Sequence, residues 1–265
     1  ASACVEGSGC EAEIAPAISA LMGEKMEVCA KKCPLLRGQG PCEFSLRRAF
    51  GYHAHSAVAQ VARQEVSGDS YVITTLKEGK ELLVLSDGMG VGEPASVQSQ
   101  TAVKLLENML NSGFNKEVAL HTINSVLLLR STTETFTTLD MILVDLYTAE
   151  VDFIKTASAP SFIKQGQRIA MISSSSLPMG ILKDVEVVSE KRSLHNGDFV
   201  LMISDGVLEA SLTVPGEDWI TKLLAGLNEY DPQVIAELVI SEALRLANGQ
   251  PRDDMTAICV RIDRL

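Results

Sequence analysis

The chain has 265 residues, enough for one large domain or two small ones. Apolar residues make up 46% of it and charged residues 22%, which is the composition of an ordinary globular protein. The net charge of −11 argues against nucleic acid as a ligand, because a phosphate backbone selects surfaces rich in Lys and Arg.

The sequence also bears on membrane attachment. Its apolar runs are shorter than the roughly 18–20 residues that a membrane-spanning helix needs. The chain shows no signal peptide and does not begin with Met, so we expect a fragment of a longer protein. A membrane tether upstream of such a fragment would not be visible in it. We therefore predict a cytoplasmic domain.

Residues 1–51 differ from the rest in being rich in Cys, Gly and basic residues, and we interpret them as a helical or irregular approach or regulatory segment. Five of the six cysteines lie there, at Cys4, Cys10, Cys29, Cys33 and Cys42. Their odd number and the lack of a CxxC pair argue against a complete disulfide framework. Reduced thiols in a cytoplasmic protein are the favoured interpretation. The alternative is a metal site built from the last three of these cysteines with His53 or His55.

Strands are predicted from Tyr52 onward, where the main domain, residues 52–265, begins. Residues 71–76 and 81–85 are typical of two strands of a hairpin closed by Glu78-Gly79.

Two consecutive helices follow the hairpin. Pro94 stands at a favourable first-turn position, and apolar residues then recur at helical spacing over residues 94–111. A second helix is predicted over residues 115–130. The short link between them favours an antiparallel pair.

The second half of the chain is mainly strands, closed by one helix and a last strand. The predicted strands cover residues 138–147, 151–156, 162–165, 168–172, 185–191 and 199–204. Asp231-Pro232 begins a helix that continues to Leu246, and residues 255–262 form the final strand. Because strands and helices do not alternate, we predict an α+β fold: an antiparallel β-sandwich with helix pairs on its outer faces.

Four aspartates stand where an apolar run meets a glycine or another polar residue, at Asp69, Asp87, Asp205 and Asp254. A single Asp-Gly is usually only a turn. Four acidic residues at predicted strand ends instead favour a shared site. Carboxylates gathered in this way stay ionised together only if cations lie between them, and hard oxygen ligands suit Mg²⁺ or Mn²⁺.

Such a site would support phosphate chemistry. Two cations about 4 Å apart can share one carboxylate and a water molecule. Asp87 is the candidate bridge, because the adjacent Gly88 lets a backbone carbonyl approach an ion. A water held between the ions becomes a nucleophile that attacks phosphorus in line, with no covalent enzyme intermediate.

Other motifs are weaker. Residues 90–95 fit a dinucleotide-binding GxGxxA pattern, but no acidic strand end follows about 20 residues later. No cysteine stands in a phosphate-cradling loop and no DxDx[TV] segment is present, which argues against covalent phosphatase mechanisms. Arg63 and Lys155 are candidate phosphate contacts, with solvated charges as the more common role.

In this order the four motifs resemble the metal-dependent serine/threonine protein phosphatases of the PPM or type-2C family. The similarity runs from about Tyr52 to Leu265 and includes residues 138–141, 157–162 and 177–180. It implies a central antiparallel β-sandwich flanked by helix pairs, with two Mn²⁺ or Mg²⁺ ions at one edge.

The resemblance also implies the ligands of each ion. Asp87, Asp205 and Asp254 would hold one ion, while Asp69, Asp87 and the Gly88 carbonyl would hold the other. The four aspartates would then form the catalytic centre.

A protein substrate is implied as well, namely phosphoserine on a small anti-anti-sigma factor whose dephosphorylation activates a sporulation sigma factor. The resemblance further implies membrane-spanning segments upstream of this domain. We expect helices 94–111 and 115–130 to form a regulatory or homodimer-forming surface, because they directly follow the metal-binding turn.

The chain departs from the family pattern at two places. Met89 stands where many members carry His, and the phosphate-binding arginine of eukaryotic members has no counterpart better than Arg63. The alternative hypothesis is therefore a non-catalytic or conditionally active interaction domain with a phosphatase fold.

Overall fold

The computed structural model describes residues 8–33, 42–130, 136–173, 176–182, 189–228 and 231–265. The chain divides into two compact units, Ala1–Gly51 and Tyr52–Leu265. No helix within the described ranges is long and apolar enough to cross a membrane.

The described residues of the first unit form a short π-helical turn, one helix and a two-stranded sheet. The turn, Cys10–Ile14, leads into α1, Ala15–Met22. Strands β1 (Met26–Lys32) and β2 (Glu43–Arg48) pair antiparallel. The prediction of a helical or irregular segment is right for α1 and wrong for the strands. Their residues are exposed or half-buried throughout, so neither strand has a buried face, and β1 also lacks the alternation that marks a half-buried strand.

The structure describes five of the six cysteines, and all five have free thiols, as the sequence favours: Cys10, Cys29, Cys33, Cys42 and Cys259. Cys10 and Cys33 are buried, whereas Cys29 and Cys42 are exposed. Among the described residues, no three His, Cys, Asp or Glu side chains are arranged to hold a metal ion as they stand.

Two five-stranded antiparallel sheets form the frame of the second unit. The first sheet contains β4 (Asp69–Leu76), β5 (Lys80–Asp87), β6 (Leu139–Asp145), β7 (Glu150–Thr156) and β10 (Ser189–Ser193). Their order in the sheet is β10-β7-β6-β5-β4. The β4–β5 hairpin confirms the sequence prediction. The predicted strand at 185–191 lies partly outside the described residues.

The second sheet contains β3 (Tyr52–Val61), β8 (Ser161–Gln165), β9 (Arg168–Ile172), β11 (Phe199–Ile203) and β12 (Met255–Arg264). Their order is β3-β12-β11-β8-β9. The terminal strand β12 pairs along its whole length with β3 and also with β11, so it lies inside the sheet.

The sheets face each other, and helices cover their outer faces. In β6, Leu139, Met141 and Leu143 pack in the cluster beneath the helices. Asp140 points the other way, because successive strand residues alternate between faces, and its carboxylate accepts a hydrogen bond from Ser161 of the second sheet at 2.9 Å.

The first sheet is covered by α2 (Glu93–Asn111) and α3 (Lys116–Arg130), which confirms the predicted helix pair. The second sheet is covered by α4 (Asp205–Leu208), α5 (Gly216–Gly226) and α6 (Pro232–Leu246). This arrangement confirms the predicted α+β sandwich.

Helix α5 is absent from the sequence prediction. Pro215 precedes it and glycines stand at both of its ends, so the segment resembles a loop. Tertiary packing makes it a helix, because Trp219, Ile220 and Leu224 are buried in the core of the second sheet.

Candidate metal and catalytic site

Two of the four predicted aspartates meet through strand pairing. Asp69 begins β4 and Asp87 ends β5, and the two residues are direct partners in the antiparallel ladder. Like charges placed opposite each other in a sheet repel. The register of the hairpin therefore creates a concentration of negative charge at one edge of the sandwich.

The second sheet brings its aspartates to the same edge. Asp205 begins α4 two residues after β11 ends, and Asp254 immediately precedes β12. The Ser204 hydroxyl donates to the Asp254 carbonyl oxygen at 3.2 Å. A Cβ on Gly206 would lie 2.2 Å from that same oxygen, so only glycine allows the two turns to pack this closely.

The electrostatics show that the four residues form one cluster. Burial raises the pKa of Asp69 to about 7, with smaller contributions from the charges of Asp205 and Asp254. Burial also raises the pKa of Asp87 to about 9, and the charges of Asp205 and Asp69 add to the shift. Without a compensating cation, these carboxyl groups resist ionisation near neutral pH.

The Asp254 side chain binds the backbone of the segment that leads to Asp69. Its Oδ1 accepts a hydrogen bond from the backbone N–H of Arg63 at 2.8 Å, and its Oδ2 accepts one from Gly68 at 2.7 Å. The side chain is 2% exposed. Asp254 therefore fixes residues 63–68 against the start of β12.

Asp253 is a cluster member that the sequence reasoning did not select. Its charge raises the pKa of Asp205 after burial, and it contributes to that of Asp87. The Asp253 Oδ1 accepts from the Asp254 backbone N–H at 2.9 Å.

Gly88 lies under the first turn of α2. A Cβ at this position would come within 2.1 Å of the Ala95 carbonyl oxygen, so the close approach requires glycine. The Gly88 backbone N–H donates to the Gly68 carbonyl oxygen at 3.3 Å. Met89, which stands where His is common in the family, is 47% exposed.

The structure contradicts both roles that the sequence suggests for Lys155. The side chain is 3% exposed and forms an ion pair with Asp140, so it is neither a solvated charge nor free to contact phosphate. Arg63 contributes its backbone N–H to the site through Asp254. The His53 and His55 rings contact each other at a tilt of 48°, with their centroids 4.2 Å apart, and His55 Nε2 lies 3.4 Å from Asp263 Oδ2.

The residues present fit a divalent cation. Asp69 Oδ1 is buried and has no hydrogen-bond partner in the described part of the chain. A buried carboxyl oxygen of this kind, in a cluster whose pKa values are raised, is a hard ligand in need of positive charge. The carboxylates are not preset around a single point, so they must adjust when an ion binds.

Comparison with known proteins places the chain in a family. The sequence profile described as "Stage II sporulation protein E (SpoIIE)" matches residues 77–263. Stage II sporulation protein E of Bacillus subtilis (strain 168) is 41% identical over 254 residues, which cover 94% of this chain and 30% of that protein. The protein of the same name from Priestia megaterium is 38% identical over 256 residues, covering 96% and 44%. The chain thus spans less than half the length of either relative.

A solved structure is similar over nearly the whole chain. The PP2C phosphatase domain of SpoIIE from Bacillus subtilis, solved with a fragment of its regulatory domain, superimposes with a TM-score of 0.82 at 36% identity. The match covers 95% of this chain and 74% of that structure. The sequences of residues 66–71 and 85–92 also resemble those of this family, and the comparisons confirm the prediction. The chain belongs to the stage II sporulation protein E family and carries its PP2C phosphatase domain.

Proposed function

We propose that residues 52–265 form a protein phosphatase that depends on two Mn²⁺ or Mg²⁺ ions and hydrolyses phosphoserine on a small anti-anti-sigma factor. The single observation that supports this most strongly is the buried carboxylate cluster. It combines raised pKa values with buried oxygens that lack a partner among the described residues. A cluster of this kind is costly unless cations compensate it.

The contacts suggest how the ligands divide. Asp69, Asp87 and the Gly88 carbonyl would hold one ion, and Asp87 and Asp205 would hold the other. For the last carboxylate we favour Asp253 over the Asp254 implied by the resemblance, because both oxygens of Asp254 already accept backbone N–H groups. Asp254 then positions the ligands by anchoring the loop before Asp69.

The chain's own residues would orient the reaction. When bound, the ions would supply a water of lowered pKa and neutralise phosphate oxygens. The Thr256 hydroxyl donates to Asp69 Oδ2 at 2.6 Å and holds that carboxylate in one orientation. The Asp87 backbone N–H donates to Thr138 Oγ1 at 3.1 Å, which fixes the end of β5.

Regulation would act through the helix pair. We propose that α2 and α3 form a regulatory or homodimer-forming surface, because the first turn of α2 packs on Gly88. Val97 on α2 and Val118 on α3 are 54% and 50% exposed. Replacing each with Asp should alter phosphatase activity or the oligomeric state measured by light scattering. Unchanged values of both would contradict this role. Membrane anchoring of the longer protein is part of the same proposal.

A non-catalytic or conditionally active interaction domain is the alternative. It is favoured by one observation, that the carboxylates are not preset around a single point among the described residues. Release of phosphate from a phosphoserine protein, measured with and without Mn²⁺, separates the two functions.

The phosphatase should show Mn²⁺-dependent release that Asp87→Asn abolishes while circular dichroism shows an intact fold. Glu237→Gln, an exposed change on α6, is the matched control and should keep full activity. Full activity of Asp87→Asn would refute the assigned site. Absence of activity in the unaltered protein at saturating Mn²⁺ would favour the alternative.

A further inference from the structure

A second charged cluster lies inside the sandwich, next to the metal-site aspartates. The Lys155 ammonium donates to Asp140 Oδ2 and to the Ser161 hydroxyl, which lies 2.9 Å away. The Ser161 hydroxyl in turn lies 2.9 Å from the same Asp140 oxygen. The Lys155 and Asp140 side chains are 3% and 1% exposed. An apolar trio of similar size would fill this space at no greater cost, so stability alone does not explain the ionic pair.

The other oxygen of Asp140 indicates what the pair does. Asp140 Oδ1 is buried and has no hydrogen-bond partner in the described part of the chain. The same is true of the Ser158 hydroxyl and of Asp205 Oδ1. All three residues line one cavity of about 20 Å³, together with Asp87.

A cavity of this size has room for one water molecule, and a water has the bonding capacity for all three groups. About 10–15 Å³ is enough for a water, and a buried water makes roughly three hydrogen bonds. A water has two hydrogens to donate, one to each carboxylate oxygen, and it can accept the hydrogen of the Ser158 hydroxyl. The three unpartnered atoms therefore match the bonding capacity of a single water.

We propose that Asp140 is a positioning residue for Asp205, acting through one ordered water that joins Asp140 Oδ1, Ser158 Oγ and Asp205 Oδ1. The inference rests on the proposed function, in which Asp205 binds a metal ion. With one Asp205 oxygen fixed by the water, the other is oriented for the ion. Lys155 neutralises Asp140, so the extra carboxylate adds no net charge to the acidic cluster.

Loss of such a supporting hydrogen bond typically weakens metal binding or activity roughly 10–100-fold. The main test is the double substitution Asp140→Leu/Lys155→Met, which removes both charges together and leaves no unpaired ion inside. Ser158→Ala is the second variant, because it removes only one hydroxyl from a half-buried residue.

A matched control is available near the C-terminal end of β12. Arg261 and Asp263 form an ion pair that does not line the cavity, with side chains 25% and 26% exposed. Arg261→Met/Asp263→Leu removes this pair in the same way.

The experiment measures Mn²⁺ affinity directly by electron paramagnetic resonance, alongside kcat, KM for the phosphoprotein and thermal unfolding. We expect the Asp140/Lys155 variant to bind Mn²⁺ roughly 10–100-fold more weakly. Ser158→Ala should bind more weakly in the same direction, and the control pair should match the unaltered protein. KM should stay constant, because the change does not touch the phosphoprotein. A high-resolution crystal structure should show the water.

The outcomes are distinct. If the unaltered protein binds no Mn²⁺, both the proposed function and this inference are wrong. If it binds Mn²⁺ and the variants bind equally well while folded, only this inference is wrong. A cavity without water in the crystal has the same consequence. Should the double variant fail to fold, Ser158→Ala decides by the same criteria.

Discussion

Asparagine substitutions at Asp253 and Asp254 should affect different properties, Mn²⁺ affinity and stability respectively, although the two residues are neighbours. Asp254→Asn should destabilise the fold. The two backbone N–H groups of Arg63 and Gly68 donate to its separate oxygens at 2.8 and 2.7 Å, and asparagine has only one oxygen to accept them. Its amide group would face a buried N–H donor.

The structure sets the size of each effect. Losing one hydrogen bond to a charged group costs about 1.5–3 kcal/mol of unfolding free energy. For a domain of this size that corresponds to a decrease in Tm of roughly 3–12 °C. Asp253→Asn keeps an oxygen for its bond from the Asp254 N–H, so stability should change by less than about 0.5 kcal/mol. The Mn²⁺ affinity of the Asp253→Asn variant should decrease by at least roughly 10–100-fold, the loss that follows removal of a residue that supports a metal ligand.

The assay pairs thermal unfolding in a chelating agent with Mn²⁺ titration by calorimetry below the lower Tm. We expect Asp254→Asn to change mainly the Tm and Asp253→Asn to change mainly the affinity. The reverse result, with Asp254→Asn losing Mn²⁺ at unchanged Tm and Asp253→Asn binding normally, would refute the reasoning from hydrogen bonds. It would restore Asp254 as the ligand that the resemblance implies.

Two further predictions concern the same edge of the sandwich. The pKa values of Asp69 and Asp87, about 7 and about 9, exceed the ordinary value of 3.8, so the folded state binds more protons than the unfolded state between these limits. The metal-free protein should therefore lose stability as the pH rises from about 4 to about 9, and saturating Mn²⁺ should remove this loss. Tm values measured across this pH range test the prediction. A Tm of the metal-free protein that rises with pH would contradict it. Gly88→Ala should reduce Mn²⁺-dependent phosphate release, because its Cβ would lie 2.1 Å from the Ala95 carbonyl oxygen. Gly226→Ala, where nothing lies within 4 Å, is the control, and equal activity of the two variants would count against the close packing of α2.

The fold was predictable wherever local periodicity and burial agree. The β4–β5 hairpin and the α2–α3 pair have strong apolar patterns and clear turn residues, so their sequence alone indicates them. Strands β1 and β2 lack a buried face, and α5 is formed by contacts of Trp219 and its neighbours with a distant sheet. Patterns within a segment cannot report such contacts.

The candidate site likewise has a part that local sequence predicts and a part that depends on distant contacts. The strand ends in the sequence predicted a shared site of Asp69, Asp87, Asp205 and Asp254. The register of the β4–β5 hairpin places Asp69 opposite Asp87, because the two outer ends of an antiparallel hairpin lie together. The distinct roles of Asp253 and Asp254 depend on where the backbone N–H groups of a loop nearly 190 positions away come to lie. Lys155 was misjudged for a similar reason: its partners belong to a neighbouring strand and to the opposite sheet.

The acidic cluster links folding to metal binding. Pairing β4 with β5 forces Asp69 opposite Asp87, and burial then raises the pKa of both, which favours their protonated forms in the absence of a cation. A cation that binds only the folded state displaces those protons and stabilises the fold, by about 2.7 kcal/mol at a concentration one hundred times its Kd. In the proposed phosphatase, the charges that would attract two ions are therefore the same charges that would make the fold responsive to them.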